Sequence, residues 1–255
     1  MAQGRDDGAV QSLSRAFELL ECLADAGGSL ALSQLAASTG LPLPTIHRLL
    51  RTLIADGYVR QEPSRRYALG ARLIRLGDVA GRALGVWAVP HLTQLVAEIG
   101  ETANMAMLEG DAAVYVAQAP STHAMRMFTE VGRRVMLHST GVGKVLLARL
   151  SDEDVHLILR RTGLPPQTEH TLTTANRLIH ELHRIREQGY GIDEGEQEIG
   201  VRCVAVPVPD APGNVAISVS GPSGRLTENR VREIVPVLQR IAKELGNDLR
   251  RETPA

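Results

Sequence analysis

The stretch from Ser33 to Tyr58, S-Q-L-A-A-S-T-G-L-P-L-P-T-I-H-R-L-L-R-T-L-I-A-D-G-Y, constrains the fold more than any other part of the chain. It reads as two short helices around a tight turn. Ser33 supplies a capping hydroxyl at the start of the first helix, whose apolar face begins at Leu35 and Ala36. Gly40 ends that helix. Pro44 fits the first position of the second, where a missing N–H costs nothing. Ile46, Leu49, Leu50, Leu53 and Ile54 then keep the rhythm of a buried helical face. The opposite face carries Thr45, His47, Arg48, Arg51 and Thr52, and Gly57 closes the helix. A short helix, a glycine turn and a second helix with a donor-rich outer face make a helix-turn-helix. An ordinary helical hairpin would share these helices but lack the hairpin of strands behind them. Tyr58 to Glu62 reads as a strand, Pro63-Ser64-Arg65-Arg66 as a turn and Arg66 to Leu69 as the returning strand. A hairpin with two arginines at its tip, directly after the recognition helix, is a wing.

Charge qualifies this reading. The 255-residue chain has a formal net charge of −1, and its first seventy residues balance seven arginines against seven acids. The basic charge is local: His47 to Arg66 holds five of those arginines and two acids. That makes a positive stripe, but argues against strong non-specific binding to nucleic acid. Lys144 and Lys243 are the only lysines. Two distant cysteines, Cys22 and Cys203, indicate neither a disulfide framework nor a metal site, and a reducing cytoplasm fits them best. Met1 to Val10 is polar, without the apolar run of a signal peptide, and no segment reaches membrane-spanning length. A soluble cytoplasmic protein with no membrane partner is expected.

Ser12 to Asp25 reads as an amphipathic helix whose buried face is Leu13, Ala16, Phe17, Leu20, Leu23 and Ala24, with Ala26-Gly27-Gly28 ending it. Residues 1–69 therefore form one small winged helix-turn-helix domain. In residues 70–87, Leu69, Leu73, Leu76, Ala80, Ala83 and Trp87 are spaced 4, 3, 4, 3 and 4 apart, a short heptad seam. Gly77, Gly81 and Gly85 fall four apart on another stripe. An interior glycine costs a helix about 1 kcal/mol relative to alanine. A linker helix packed on a partner chain accounts for both stripes; a helix packed on its own chain is the alternative.

Residues 88–255 read as a second domain of mixed α and β. Val89 to Ile99 opens it as a helix. Thr102 to Leu108 and Ala112 to Ala119 read as strands around the turn Glu109-Gly110-Asp111, and Ala124 to Phe128 as a third extended segment. Thr140-Gly141-Val142-Gly143-Lys144 leads into a helix through Ala148, and Ser151 caps the next with acids in its first turn. Thr173 to Gln188 and Thr227 to Leu249 are helices; Tyr190 to Asp193, Cys203 to Val208 and Val215 to Ser220 are strands. Antiparallel strands with helices segregated around them give an α+β class.

Several short motifs have competing readings. Gly141-Val142-Gly143-Lys144 resembles part of a phosphate loop, but that motif needs a glycine at His138 and a hydroxyl at Val145. His180-Glu181-Leu182-His183 resembles a zinc protease motif, yet its histidines are three apart rather than four, so two surface histidines and no metal are expected. Cys203, His138 and Asp193 could be nucleophile, base and orienter, the remote alternative of an enzyme. Nothing flanks Cys203 to activate it except Arg202, which alternates to the other face of the strand. A buried or ligand-lining thiol is expected, with no catalytic residue and no cofactor.

The chain resembles the IclR family of bacterial transcriptional regulators from Val10 to about Leu249. V-Q-S-L-S-R-A-F-E-L-L, L-P-L-P-T-I-H-R-L-L, R-Y-A-L-G, H-S-T-G-V-G-K-V-L-L-A, G-I-D-E-G-E-Q-E-I-G-V-R-C-V-A-V-P-V and A-I-S-V-S-G-P carry the resemblance in this order. It implies an N-terminal winged helix on double-stranded operator DNA, a C-terminal GAF-like α/β domain that binds a small effector, and homodimers or dimers of dimers. Thr45, His47, Arg48 and Arg51 would face the major groove or its phosphates, and Arg65 and Arg66 the backbone or minor groove. Many members have a basic or hydroxyl pair where this chain has Leu43 and Pro44, which removes a phosphate contact or leaves it to the wing.

For the effector, the family pattern carries over onto Gly141, Val142, Asp193, Cys203, Ser218 and Ser220. Met127, Val135 and Val201 resemble its apolar wall. A glycine turn at a helix N-terminus presents free N–H groups to a carboxylate, and Ser218 and Ser220 share one strand face. The resemblance implies a repressor released by a small carboxylate such as glyoxylate or another 2-oxo acid. Ala124 stands near a position where such members carry a larger apolar residue, which leaves a ureide or an aromatic acid open. Activation in place of repression also occurs in the family.

Overall fold

A computed structural model describes residues 10–84 and 87–252. The chain divides into two compact units, Met1–Ala80 and Gly81–Ala255. The first contains α1 (Gln11–Asp25), β1 (Ser29–Leu30), α2 (Leu32–Thr39), α3 (Leu43–Ala55), β2 (Val59–Gln61) and β3 (Tyr67–Leu69). Leu19, Leu23, Leu35, Ile46, Leu50, Val59 and Tyr67 form its core. The buried stripe of α1 differs from the expected one: Leu19 and Leu23 are buried, whereas Leu13 is 56% and Phe17 61% exposed. Apolar residues cover two adjacent stripes of this helix, and periodicity alone does not select between them.

Helix α2 starts one residue before Ser33. Its N-terminus is closed by Gln34, whose Oε1 accepts the Ala31 N–H at 2.9 Å, so Ser33 is not the cap. Gly40 ends α2 in the left-handed conformation, φ 65°, and its N–H donates to Ala36 O. In α3 Leu43 takes the first helical position and Pro44 the second, both exposed. Strand β3 returns between β2 and β1, a two-residue strand that gives no periodic signal. The glycine after it is sterically required: a Cβ on Gly70 would fall 2.1 Å from Gly57 O.

Helix α4 (Arg72–Leu84) follows. Ile74, Leu76 and Val79 are exposed, and an added Cβ on Gly77 or Gly81 would meet nothing within 4 Å. Leu73 is half-buried and Trp87 46% exposed; Gly85 and the side chain of Ala83 lie outside the described residues.

The second unit holds α5 (Ala88–Ile99), β4 (Thr102–Glu109), β5 (Ala112–Ala119), β6 (Arg134–Val135), α6 (Gly141–Ala148), α7 (Asp152–Thr162), α8 (Ala175–Gln188), β7 (Gly191–Glu194), β8 (Val201–Pro207), β9 (Val215–Pro222) and α9 (Glu228–Glu252). Its antiparallel sheet runs β6-β5-β4-β9-β8-β7. Helices α5 and α9 pack on one face through Leu92, Leu95, Leu238, Ile241 and Leu245 against Met105, Val204, Ile217 and Val219. The other face lies under α6, α7 and α8, with Val142, Val145, Leu178 and Leu182 clustered with Ala106, Ala205 and Ala216. Small residues bring α6 close to the sheet. A Cβ on Gly191 of β7 would stand 2.9 Å from a Val145 methyl, and one on Gly143 would stand 2.4 Å from O of Leu137 in the loop that leads into α6.

Ala124 to Phe128 is not a strand. Its backbone is held from other elements: Met127 O accepts the Thr102 hydroxyl at 3.1 Å and Met125 O the Arg225 guanidinium at 2.9 Å. Met125 and Phe128 are each 72% exposed, so this segment has no buried face with which to join the sheet. Strand β6 pairs with β5 in its place.

Candidate functional site

Two surfaces gather the chemistry. On the first unit, α3 presents His47, Arg48 and Arg51 to solvent, with Thr45 half-buried beside them. Arg65 stands exposed at the tip of the β2–β3 turn with φ 63°, where the Arg65 N–H donates to Glu62 O and the Glu62 N–H to Arg66 O. Arg66 behaves differently from the expectation. Its guanidinium turns back onto β1, donating to Ser29 Oγ at 3.0 Å and to Ser29 O, so it joins β1 to the wing rather than facing outward. Arg60 pairs with Glu62 at 3.3 Å. Arg72 lies over the Tyr58 ring and donates to Asp56 O, which steadies the wing's base.

On the second unit, the period-2 alternation of five strands brings polar side chains to the α6 face of the sheet. One row runs Thr102, Ser220, Cys203, Asp193 across β4, β9, β8 and β7; the next runs Gln118, Asn104, Ser218 across β5, β4 and β9. All but Gln118, which is half-buried, are buried. Above them lies the N-terminus of α6. Thr140 caps it by accepting the Gly143 N–H at 3.1 Å, while the Gly141 and Val142 amides have no partner among the described residues. A Cβ on Gly141 would lie 3.0 Å from Cys203 Sγ, so glycine lets the helix start directly over the thiol without crowding it.

Burial and the Asp193 charge push the Cys203 thiol up to about 11, against the opposing influence of the nearby Ser220 and Ser218 hydroxyls. That is the reverse of an activated nucleophile. His138 bonds Pro165 O through Nε2 at 3.1 Å, and burial lowers its pKa; it lines a different cavity, with Asp111, Leu159 and Thr162. Burial pushes the Asp193 carboxyl up to about 7, opposed by the Glu196 N–H, which donates to Oδ1 at 2.7 Å. Asp193 thereby also organises the loop after β7. Lys144, almost wholly buried, ion-pairs with Glu196 of that loop and lies 3.9 Å from Glu181. A phosphate-loop role is inconsistent with a lysine so engaged. His183 hydrogen-bonds Asp152 at 2.7 Å on the surface.

Of the expected effector residues, Gly141, Val142, Asp193, Cys203, Ser218 and Ser220 come together, and Met127 is half-buried in the segment tied to Thr102. Sequence reasoning missed Thr102, Asn104 and Gln118. The available signal was T-A-N at the head of an otherwise apolar strand.

Unpartnered atoms mark this face. Among the described residues six buried side-chain nitrogens or oxygens lack a hydrogen-bond partner, and four of them belong to Asn104, Gln118 and Ser218. Folded chains pair nearly all such groups, so a concentration of exceptions on one face marks a place for a ligand or ordered water.

The IclR helix-turn-helix domain matches residues 12–63, and the bacterial transcriptional regulator IclR C-terminal domain matches residues 81–247. The chain belongs to the IclR family. It is 39% identical over 245 residues to the transcriptional repressor IclR of Escherichia coli, covering 93% of this chain and 89% of that protein. To the HTH-type transcriptional repressor AllR of the same organism it is 34% identical over 245 residues, covering 94% and 90%. A crystal structure of an IclR transcriptional regulator from Alicyclobacillus acidocaldarius superposes with a TM-score of 0.81 at 28% identity, over 94% of this chain and 99% of that one. As an IclR-family member the chain is a DNA-binding transcriptional regulator and not an enzyme, which removes the reading of Cys203 as a nucleophile. Among the described residues no helix is long and apolar enough to cross a membrane.

Proposed function

We infer that this regulator is a repressor that occupies operator DNA through residues 1–69 and leaves it when a small carboxylate enters the face between α6 and the sheet in residues 88–255. The observation that carries the reading is the pair of unpartnered α6 amides opposite buried, unpartnered polar side chains. Free N–H groups at a helix N-terminus favour an anion, and Ser220, in register with Cys203, supplies a neutral donor below it. Thr45, His47, Arg48, Arg51 and Arg65 are the contacts to DNA; Arg66 supports them by tying the wing to Ser29 of β1. The exposed Ile74, Leu76 and Val79 and the open Gly77 and Gly81 favour residues 70–87 as a contact between copies, in a homodimer or a dimer of dimers. Effector binding would reposition α6 and the loop held by Asp193, and the linker would pass the change to paired recognition helices. Switching requires the acid to bind the DNA-free state more tightly.

Isothermal titration of the full chain with glyoxylate, allantoate and protocatechuate tests the effector class. Heat from glyoxylate supports the 2-oxo acid, and heat from protocatechuate alone moves the class to aromatic acids. Silence with all three sinks the small-acid reading.

A further inference from the structure

Beside the row that holds Cys203 and Ser220, the α6 face of the sheet carries a second polar row, and that row is neutral. Asn104 sits in register with Ser218 on β9 and with Gln118 on β5. Asn104 and Ser218 are fully buried, and neither the oxygen nor the nitrogen of the Asn104 carboxamide has a partner; the Ser218 hydroxyl and Gln118 Nε2 are likewise open. No charged side chain belongs to this row.

A carboxamide offers one acceptor and two donors. A hydrocarbon satisfies neither end of it, and a second carboxylate satisfies Nδ2 but sets an anion against Oδ1. A group that places N–H and C=O side by side satisfies both through two antiparallel hydrogen bonds. We propose that Asn104, flanked by Gln118 and Ser218, reads a carbamoyl group, so that the effector is an acid ending in –CO–NH2 at the end away from its carboxylate. This rests on the reading that the acid's carboxylate is held at the start of α6.

The test is a pair of acids matched in length, shape and charge: N-carbamoylglycine, and N-acetylglycine, in which a methyl replaces the NH2. Titrated into the full chain, N-carbamoylglycine is expected to bind at least roughly tenfold more tightly, as one well-formed buried hydrogen bond requires. Asn104→Leu is expected to erase the preference. Gln118→Leu, at the half-buried neighbour, is expected to reduce it and covers the case in which the first variant misfolds. Equal or tighter binding of N-acetylglycine, or a preference that survives both substitutions, overturns the proposal. If neither acid binds while glyoxylate still does, the carbamoyl assignment falls and the 2-oxo acid reading stands; if none of the three binds, both fall.

Discussion

The outer face of α3 and the α6 face of the sheet are both polar, but they are built in opposite ways. His47, Arg48 and Arg51 lie within five residues on one helix and keep their polar groups in water. Thr102, Asn104, Cys203, Ser218 and Ser220 come from three strands and are buried, some without partners. The exposed face costs the fold little, because water satisfies its polar groups. The buried one carries unpaired groups that a packed core would exclude and that a ligand or ordered water would pair. Substitutions on the two faces should therefore separate cleanly in what they damage.

The largest effects come from glycines that admit no side chain. Gly143→Ala forces a Cβ to within 2.4 Å of Leu137 O, and Gly70→Ala to within 2.1 Å of Gly57 O. Each is expected to cost about 3 kcal/mol, at the upper end for overpacking. In thermal melts of each variant, Gly143→Ala should cost acid binding first and Gly70→Ala operator binding first. If both variants lose the same activity first, the separation of the two regions fails.

Arg48→Ala and Arg51→Ala come next. Each removes a contact worth about 1–3 kcal/mol where it reaches a base, hence roughly a tenfold to hundredfold loss of operator affinity by fluorescence anisotropy. Acid binding by titration calorimetry should not move. An unaltered operator affinity in the double variant would place the DNA contacts elsewhere.

Helical contiguity explains why much of the first region could be read in advance. Gly40 and Gly57 punctuate the helices where expected, and Ile46 and Leu50 are buried. The failures there are instructive. Leu19 and Phe17 exchange roles because two apolar stripes compete, and Arg66 could not be told from Arg65 because β1, its partner, is two residues long. In the second region Asn104 escaped notice for a different reason. Its meaning depends on register with Ser218 and Gln118, and register is a property of the folded sheet rather than of any one strand. Ala124 to Phe128 has strand composition, but side-chain bonds from Thr102 and Arg225 hold it outside the ladder.

Protonation gives a smaller, graded effect confined to the buried region. The Asp193 carboxyl rises from 3.8 to about 7, so the folded chain keeps a proton that the unfolded chain has released. Stability from this group is therefore greatest at the acidic end of that window and falls as pH rises through it. An anionic ligand beside Asp193 should also bind more weakly once the carboxylate ionises, by up to roughly tenfold between about pH 6 and about pH 8. Asp193→Asn should flatten both profiles; a glyoxylate affinity that keeps its pH dependence in that variant would place the titrating group elsewhere.

The smallest effect separates two neighbouring arginines. Arg65→Ala should weaken operator binding a few-fold and lower the salt slope by about 1, the signature of a lost phosphate contact. Arg66→Ala should instead lower the melting temperature, because it breaks the bonds to Ser29, by about 1 kcal/mol of stability. Identical behaviour of the two would mean that Arg66 also meets DNA.

Fluorescence anisotropy on the protein's own upstream intergenic DNA, at fixed moderate salt, tests the central claim most directly. The account predicts tight binding relative to a scrambled duplex, released on adding glyoxylate or N-carbamoylglycine. Specific binding that no acid weakens, or that an acid strengthens, would contradict it.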